Sequence, residues 1–172
     1  MYVPVLQEPR LLEHKDERAR FQSGNAEIDD WFHRFAWQNH RAGNARVFVT
    51  KQEPETLGFY ALAMGAVSRS NLPEALKPGR RPDPCPVLIL ARLAVDQRAQ
   101  GRGIGAALLK DALLRAYKLS SEVGFAALLV HCANDNAREF YLSQSSHFVP
   151  CPGAENHLML PLRAMREFID AL

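Results

Sequence analysis

The chain has 172 residues and a mass of 19.3 kDa, the length of one ordinary domain. With 47% apolar and 23% charged residues it cannot be a disordered chain, and with three Cys it cannot be a disulfide scaffold. No apolar run approaches the ~20 residues of a membrane span, and no basic, then apolar leader opens the chain, so a cytoplasmic protein with no membrane association is expected. The net charge of +2 implies no partner, but the arginines are grouped. Arg34, Arg41 and Arg46 share a stretch with His33 and His40, Arg80 and Arg81 follow, and then come Arg92, Arg98 and Arg102.

In chain order, the first predicted element is a helix that opens at Asn25. Asn25 is a good cap, and Glu27, Asp29 and Asp30 place negative charge against the positive helix end. Ile28, Trp31, Phe32 and Phe35 form one apolar stripe, and Gly43 stops the helix. Trp31 and Phe32 read as core residues. Two strands follow, around Val47–Val49 and over Leu57–Val67, with the polar segment Lys51–Thr56 as their hairpin loop. Five prolines between Pro73 and Pro86 then predict a surface loop holding a short helical turn around Leu72–Lys77.

Val87–Val95 is a nearly continuous apolar run of the buried-strand type. After it, Gly101, Gly103 and Gly105 make a glycine turn. A helix follows, with Ile104, Leu108, Ala112 and Ala116 in one row, and ends before Gly124. Phe125–His131 is another apolar strand. A helix from Ala137 to about Gln144 is expected next, with Asn136 as cap and Glu139 completing a capping box. Phe148–Val149 and Leu158–Leu162 read as closing strands, and the tail from Arg163 to Leu172 as a helix that covers the core or a partner. This order is that of a mixed α/β layer fold.

The glycine turn is the sharpest chemical feature. A buried strand, then glycines, then a helix leaves free N–H groups at a helix start, an anion site suited to a pyrophosphate. The turn lacks the Gly-Lys-Ser/Thr ending of a triphosphate loop, so Mg²⁺–ATP chemistry is not expected. It reads G-x-G-x-G rather than G-x-G-x-x-G, and only Glu122 stands near the place of the acid of a dinucleotide site.

The stretch Val95–Leu109 resembles motif A of the GCN5-related N-acetyltransferases, Q/R-x-x-G-x-G/A, through Gln100, Gly103 and Gly105. Asn134, Ala137, Phe140 and Tyr141 resemble the family's N-x-x-A-x-x-F-Y segment. The resemblance implies an α/β (α+β) fold in one domain over residues 1–172. Its mixed, mostly antiparallel sheet would splay at a central parallel strand pair, with helices on both faces. It implies acetyl-coenzyme A as cofactor. Backbone amides of Gln100, Gly101, Arg102, Gly103, Ile104, Gly105 and Ala106 would hold its pyrophosphate, Leu93, Ala94 and Val95 would pair with its pantetheine arm, and Asn134, Ala137 and Phe140 would lie beside it. Tyr141 would protonate the departing thiolate, a role in which a positioned phenol is chemically plausible.

Phe21-Gln22-Ser23-Gly24-Asn25-Ala26-Glu27-Ile28-Asp29-Asp30-Trp31-Phe32, Arg46-Val47-Phe48-Val49 and Ala91-Arg92-Leu93-Ala94-Val95 are similar to segments of the acetyltransferase toxins of type II toxin–antitoxin systems. That likeness implies acetylation of the α-amine of aminoacyl-tRNA, a homodimer and a ribbon-helix-helix antitoxin. A polyanionic substrate calls for arginines, and Arg34, Arg41, Arg46 and Arg92 are the substrate-binding candidates, with Arg80 and Arg81 beside them. Asp96 and Glu122 read as loop acids and His131 as a strand-end polar group, so no general base stands out. No metal site is expected. The alternative is an acetyltransferase of the same family acting on a small amine, a protein N-terminus or a lysine, with no toxin role. The departures are Ser146-His147-Phe148 where the family has Gly-Phe, and a Pro152–Leu158 closing loop without its second Pro.

Overall fold

A computed structural model describes residues 3–171. The elements are β1 (Arg10–Leu11), α1 (Ala26–Arg34), α2 (Ala36–Ala42), β2 (Arg46–Gln52), β3 (Glu55–Val67), β4 (Cys85–Val95), α3 (Ile104–Leu119), β5 (Ala127–His131), α4 (Asp135–Gln144), β6 (Val149–Cys151), β7 (Ala154–Pro161) and α5 (Leu162–Asp170). The seven strands follow the order β1-β2-β3-β4-β5-β7-β6. The β4–β5 pair is parallel, while β1–β2, β2–β3, β5–β7 and β6–β7 are antiparallel. This is the mixed α/β sheet that the sequence implies. The parallel ladder joins Leu88–Leu90 to Leu128–Val130, and β4 itself runs on to Val95.

The chain forms two compact units, Met1–Leu62 with Arg92–Asp111 and Ala63–Ala91 with Ala112–Leu172. The first is built on stacked rings. Phe32 lies on Phe59 at 4.1 Å, Phe21 meets both edge-on, and Val47, Val49, Ala61 and Ala94 close the cluster. Asn25 caps α1 as expected, its Oδ1 accepting the Ile28 N–H at 3.1 Å. The single helix predicted from Asn25 to Gly43 is instead two. Phe35 between them is a turn residue whose φ widens to −119°, and its ring is exposed rather than part of the buried stripe. Gly43, at φ +79°, ends α2 in the left-handed conformation that glycine adopts without steric cost.

The expected hairpin loop Lys51–Thr56 is nearly all strand, because Lys51 pairs with Thr56 and Gln52 with Glu55, leaving only Glu53-Pro54 as the turn. A distant ion pair explains this. Buried Lys51 donates to buried Asp16 at 3.0 Å, and Asp16 also takes a bidentate pair from Arg10 at 2.9 Å and the Glu13 N–H at 2.8 Å. Burial alone would raise the Asp16 carboxyl, but Arg10, the Glu13 amide and Lys51 outweigh it and bring it to about 2. Strand β1, two residues long, carries no sequence signal of its own and forms by pairing with Phe48 and Val49.

The second unit has an aliphatic core of Val87, Ala127, Leu129, Met159 and Cys151. Leu72 and Leu76 belong to it and are buried, so the proline-rich segment is not wholly the surface loop expected. Its helical turn is present as a 3₁₀ turn, Glu74–Leu76. The expected closing loop Pro152–Leu158 is also mostly strand. Only Pro152-Gly153 turns, with Gly153 at φ +75°, and β7 starts at Ala154. The C-terminal helix is α5, which buries Ala164 and Met165. Leu172, the end of the predicted tail, lies outside the described residues.

Candidate functional site

In the first unit, β4 delivers its last residues to the glycine turn. Ala94 packs into the ring cluster, while the neighbouring positions Leu93 and Val95 remain half-buried. Asp96 caps a 3₁₀ turn over Gln97–Ala99. Gly101 and Gly103 then take φ +81° and +78°, where a side chain is strained. A Cβ added at either would meet nothing within 4 Å. Glycine is therefore required here by the backbone and not by crowding, and the side of the turn that bare backbone presents is open.

The Ala107 N–H bonds the Gly103 carbonyl at 3.1 Å. The amides of Ile104, Gly105 and Ala106 precede that bond, in the first turn, where a helix offers them no carbonyl of its own. With the positive end of α3 behind them, they suit a diphosphate. Buried Ile104 pins the turn to the core. Gln100 is exposed, but its Nε2 donates to the carbonyls of Ser23 at 2.9 Å and Val95 at 3.0 Å, so its side chain ties the loop in place. The Arg102 guanidinium touches Gln52 Oε1 at 3.3 and 3.4 Å and is otherwise exposed, available as a counter-charge. The chain's residues thus fit a pyrophosphate-bearing cofactor by backbone geometry and by charge.

Asp96 is no base. Its carboxylate is buried and accepts from Arg98 N, Nε and Nη2 and from Gln22 N. Burial would raise its pKa, but the Arg98 and amide hydrogen bonds bring it below the ordinary value. The expectation of a loop acid holds, with a structural duty that local sequence does not signal.

In the second unit, α4 carries Phe140 and Tyr141. Its cap is Asn134, not Asn136. The Asn134 Oδ1 accepts the Ala137 N–H at 2.8 Å, and the helix begins at Asp135. The predicted capping box at Asn136 and Glu139 is therefore not the one formed, because the extended backbone of Asn134 (φ −161°) starts the helix two residues earlier. Asn134 and Ala137 meet each other through this cap. Tyr141 is buried, with the Phe140 ring at 5.2 Å and the Phe148 ring at 5.9 Å. Burial, with Cys132 adding to it, raises the phenol well above its ordinary value, so it keeps its proton at neutral pH. The buried Cys132 thiol is raised too, and Cys151 is pushed up to about 11 by burial and Cys132. Both thiols are therefore neutral. His131 stacks on His157 across β5–β7 at 4.3 Å, as a cross-strand pair.

The four substrate-binding candidates all fall in the first unit. Arg92 lies over the Trp31 ring at 4.3 Å, and Trp31 in turn stacks on Phe59 at 6.1 Å. Arg46 donates to the His40 carbonyl at the end of α2 at 2.7 Å, next to exposed Arg41. Arg34 pairs with Asp30 at 3.4 Å and lies over Phe35 at 5.1 Å. Burial first, and Arg46 second, lower the His40 pKa, and its Nδ1 accepts the Val47 N–H at 3.1 Å, so it is neutral. Arg80 is exposed and Arg81 donates to the Leu76 carbonyl at 2.7 Å in the second unit. Among the described residues no cluster of three or more His, Cys, Asp or Glu is placed to hold a metal ion, and no helix is long and apolar enough to cross a membrane.

Comparison with known proteins adds to this geometry. The model of the acetyltransferase (GNAT) family matches residues 10–145. A "tRNA-acetylating toxin" of Mycobacterium tuberculosis is 40% identical over 161 residues, covering 94% of this chain and 95% of that protein. The solved structure of AtaT complexed with acetyl-methionyl-tRNAfMet superposes with a TM-score of 0.84 at 26% identity, covering 95% of this chain and 98% of AtaT. A tyrosine-to-phenylalanine variant of the AtaT toxin, bound to the C-terminus of the antitoxin AtaR and acetyl-CoA, superposes at 0.77 with 25% identity, covering 94% and 96%.

Proposed function

The chain belongs to the acetyltransferase (GNAT) family, and from that premise we propose that it transfers acetyl from acetyl-coenzyme A to the α-amine of aminoacyl-tRNA. In this reading it is the translation-blocking toxin of a type II toxin–antitoxin pair, and residues 1–172 act as one N-acetyltransferase domain. The observation that carries the transfer is the glycine turn, with two left-handed glycines that face open space just before a helix. The relative named a tRNA-acetylating toxin, similar over nearly its whole length, supports the substrate. A homodimer, a ribbon-helix-helix antitoxin and the cytoplasm complete the proposal. The likeness to an antitoxin-bound toxin supports the partner.

The donor supplies an activated acetyl thioester. In this reading the amides of residues 100 to 106 and Arg102 bind its diphosphate, and Leu93–Val95 orient its arm by backbone pairing. Amide dipoles on that strand polarise a carbonyl laid against them. Tyr141 Oη holds a proton for the leaving sulfur, the phenol being protonated at neutral pH. The acceptor amine must be neutral. An α-amine titrates near 8, against about 10.4 for lysine, so an aminoacyl ester needs little help from a base. That suits a site whose buried carboxylate, Asp96, is fully engaged. Arg34, Arg41, Arg46 and Arg92 meet the phosphates and the unpaired end of the RNA.

The test is transfer of radiolabelled acetyl to a panel of charged tRNAs. Label on the aminoacyl group, lost when the ester is hydrolysed, supports the reading. Label only on polyamines or protein lysines rejects it.

A further inference from the structure

The segment Gln22-Ser23-Gly24 lies just ahead of α1. The glycine turn is sewn to it. Gln22 N–H donates to Asp96 Oδ2 at 3.0 Å, and Gln97 N–H donates back to the Gln22 carbonyl at 2.8 Å. Gln100 Nε2 donates to the Ser23 carbonyl at 2.9 Å. Gly24 passes so close to the loop that a Cβ on it would lie 2.9 Å from Gln97 Nε2, and its φ of +97° is one that glycine alone takes readily. Ser23 is fixed in turn by α1, because its N–H and Oγ donate to Asp29 Oδ1 at 2.9 and 2.7 Å. On the other side Asp96 N–H donates to the Leu57 carbonyl at 2.8 Å, and Arg98, held by Asp96, reaches Glu55 at 2.7 Å.

We infer that Asp96 and Ser23 are positioning residues for the acetyl donor: through Gln22, Gln97 and Gln100 they preset the amides of the glycine turn in the arrangement that receives a diphosphate. This rests on the proposed assignment of that turn to the donor. Two left-handed glycines make a loop with many alternative conformations, and each must be given up when an anion binds. A loop already fixed at Gln22, Ser23, Val95 and Leu57 has surrendered them during folding, so binding does not bear that cost again. Asp96 is well chosen for this. Its two oxygens accept four hydrogen bonds, all from N–H groups. An Asn in its place would set an NH₂ against the Gln22 amide or against Arg98, donor to donor.

The sign of the effect separates positioning from electrostatics. Asp96 is a negative charge near a proposed diphosphate, so neutralising it should strengthen binding if charge were all that mattered. Positioning demands the reverse.

The experiment titrates acetyl-CoA calorimetrically into wild type, Asp96→Asn and Ser23→Ala, with thermal melts of each, and follows with steady-state kinetics. Asp96→Asn is expected to weaken binding about tenfold and raise the KM for acetyl-CoA in step, with kcat at saturation within about twofold. Ser23→Ala, a milder change that keeps the carbonyl, is expected to weaken binding about threefold, and it keeps the inference testable if Asp96→Asn does not fold. Affinities that are unchanged or tighter in both variants, or a loss confined to kcat with KM unmoved, would overturn it. Wild type that binds no acetyl-CoA would overturn the donor assignment itself, and this inference with it.

Discussion

Around the glycine turn a buried carboxylate accepts four hydrogen bonds, and the backbone beyond it is bare and exposed. Around Tyr141 the neighbours are rings and the neutral Cys132 thiol, and burial keeps the phenol protonated. On the proposed reading the first region would bind a diphosphate by preset dipoles. On the same reading the second would hold a proton for the leaving sulfur. The difference teaches that an open, polar backbone turn and a buried phenol need different surroundings, and each lies in its own compact unit.

The strongest way to break this comparison is to remove the stored proton. Tyr141→Phe should lower kcat by about 10²–10⁴-fold, the usual reach of general acid catalysis. Acetyl-CoA affinity should be unchanged, and thermal stability no worse, since a buried hydroxyl becomes a hydrogen. Single-turnover assays and calorimetry check both halves, and an unaltered rate would remove the phenol from the chemistry. Next in size is the turn itself. Gly103→Asp should weaken acetyl-CoA binding about a hundredfold, by charge and by occupying the open side. Gly103→Asn, uncharged and more tolerant of positive φ, should lose less than about tenfold. Equal losses in the two would mean that strain, not charge, governs the site.

Smaller effects should follow at the arginines. Arg46→Ala and Arg92→Ala should each raise the KM for charged tRNA by about tenfold at moderate salt and leave acetyl-CoA affinity intact. A phosphate contact also predicts that the slope of log affinity against log salt falls by about 1. Arg92 on Trp31 is the sharper case, because a guanidinium plane can stack on a base as well as pair with a phosphate. A slope that does not move, with affinity lost, would assign it to stacking.

The smallest expected effect concerns stability alone. Asp16 is held at about 2, below its ordinary 3.8. Its contribution is therefore complete above about pH 4 and is lost as the pH falls toward 2, worth about 2 kcal/mol. Urea melts at pH 7 and pH 2.5 should show wild type losing that advantage over Asp16→Asn.

Much of the site was legible in the sequence because its conformations have composition signatures. Left-handed turns call for glycine, so Gly101 and Gly103 announced themselves, as did Gly43 at a helix end. Asn25 was legible as a cap for the same kind of reason. What failed was non-local or degenerate. Lys51 and Thr56 look like loop residues until Asp16, 35 positions before Lys51, buries a charge against the strand. The break at Phe35 has no Gly or Pro to mark it. Asn136 reads as the cap of α4, and only the extended backbone of Asn134, two residues earlier, moves the cap there. Leu72 and Leu76 sit in a proline-rich stretch whose core packing depends on strands far along the chain. The Asp96–Gln22 stitch spans 74 residues, beyond the reach of any local pattern.

The central claim, that amides of the glycine turn receive the donor's diphosphate, is open to direct measurement. The ¹⁵N-labelled protein would be titrated with acetyl-CoA and, separately, with S-acetylpantetheine, which has the arm but no diphosphate. The amide signals of Gly101, Gly103, Ile104 and Gly105 are expected to shift strongly with acetyl-CoA and to stay near their free positions with S-acetylpantetheine. Acetyl-CoA that binds while those four amides stay unmoved would contradict it.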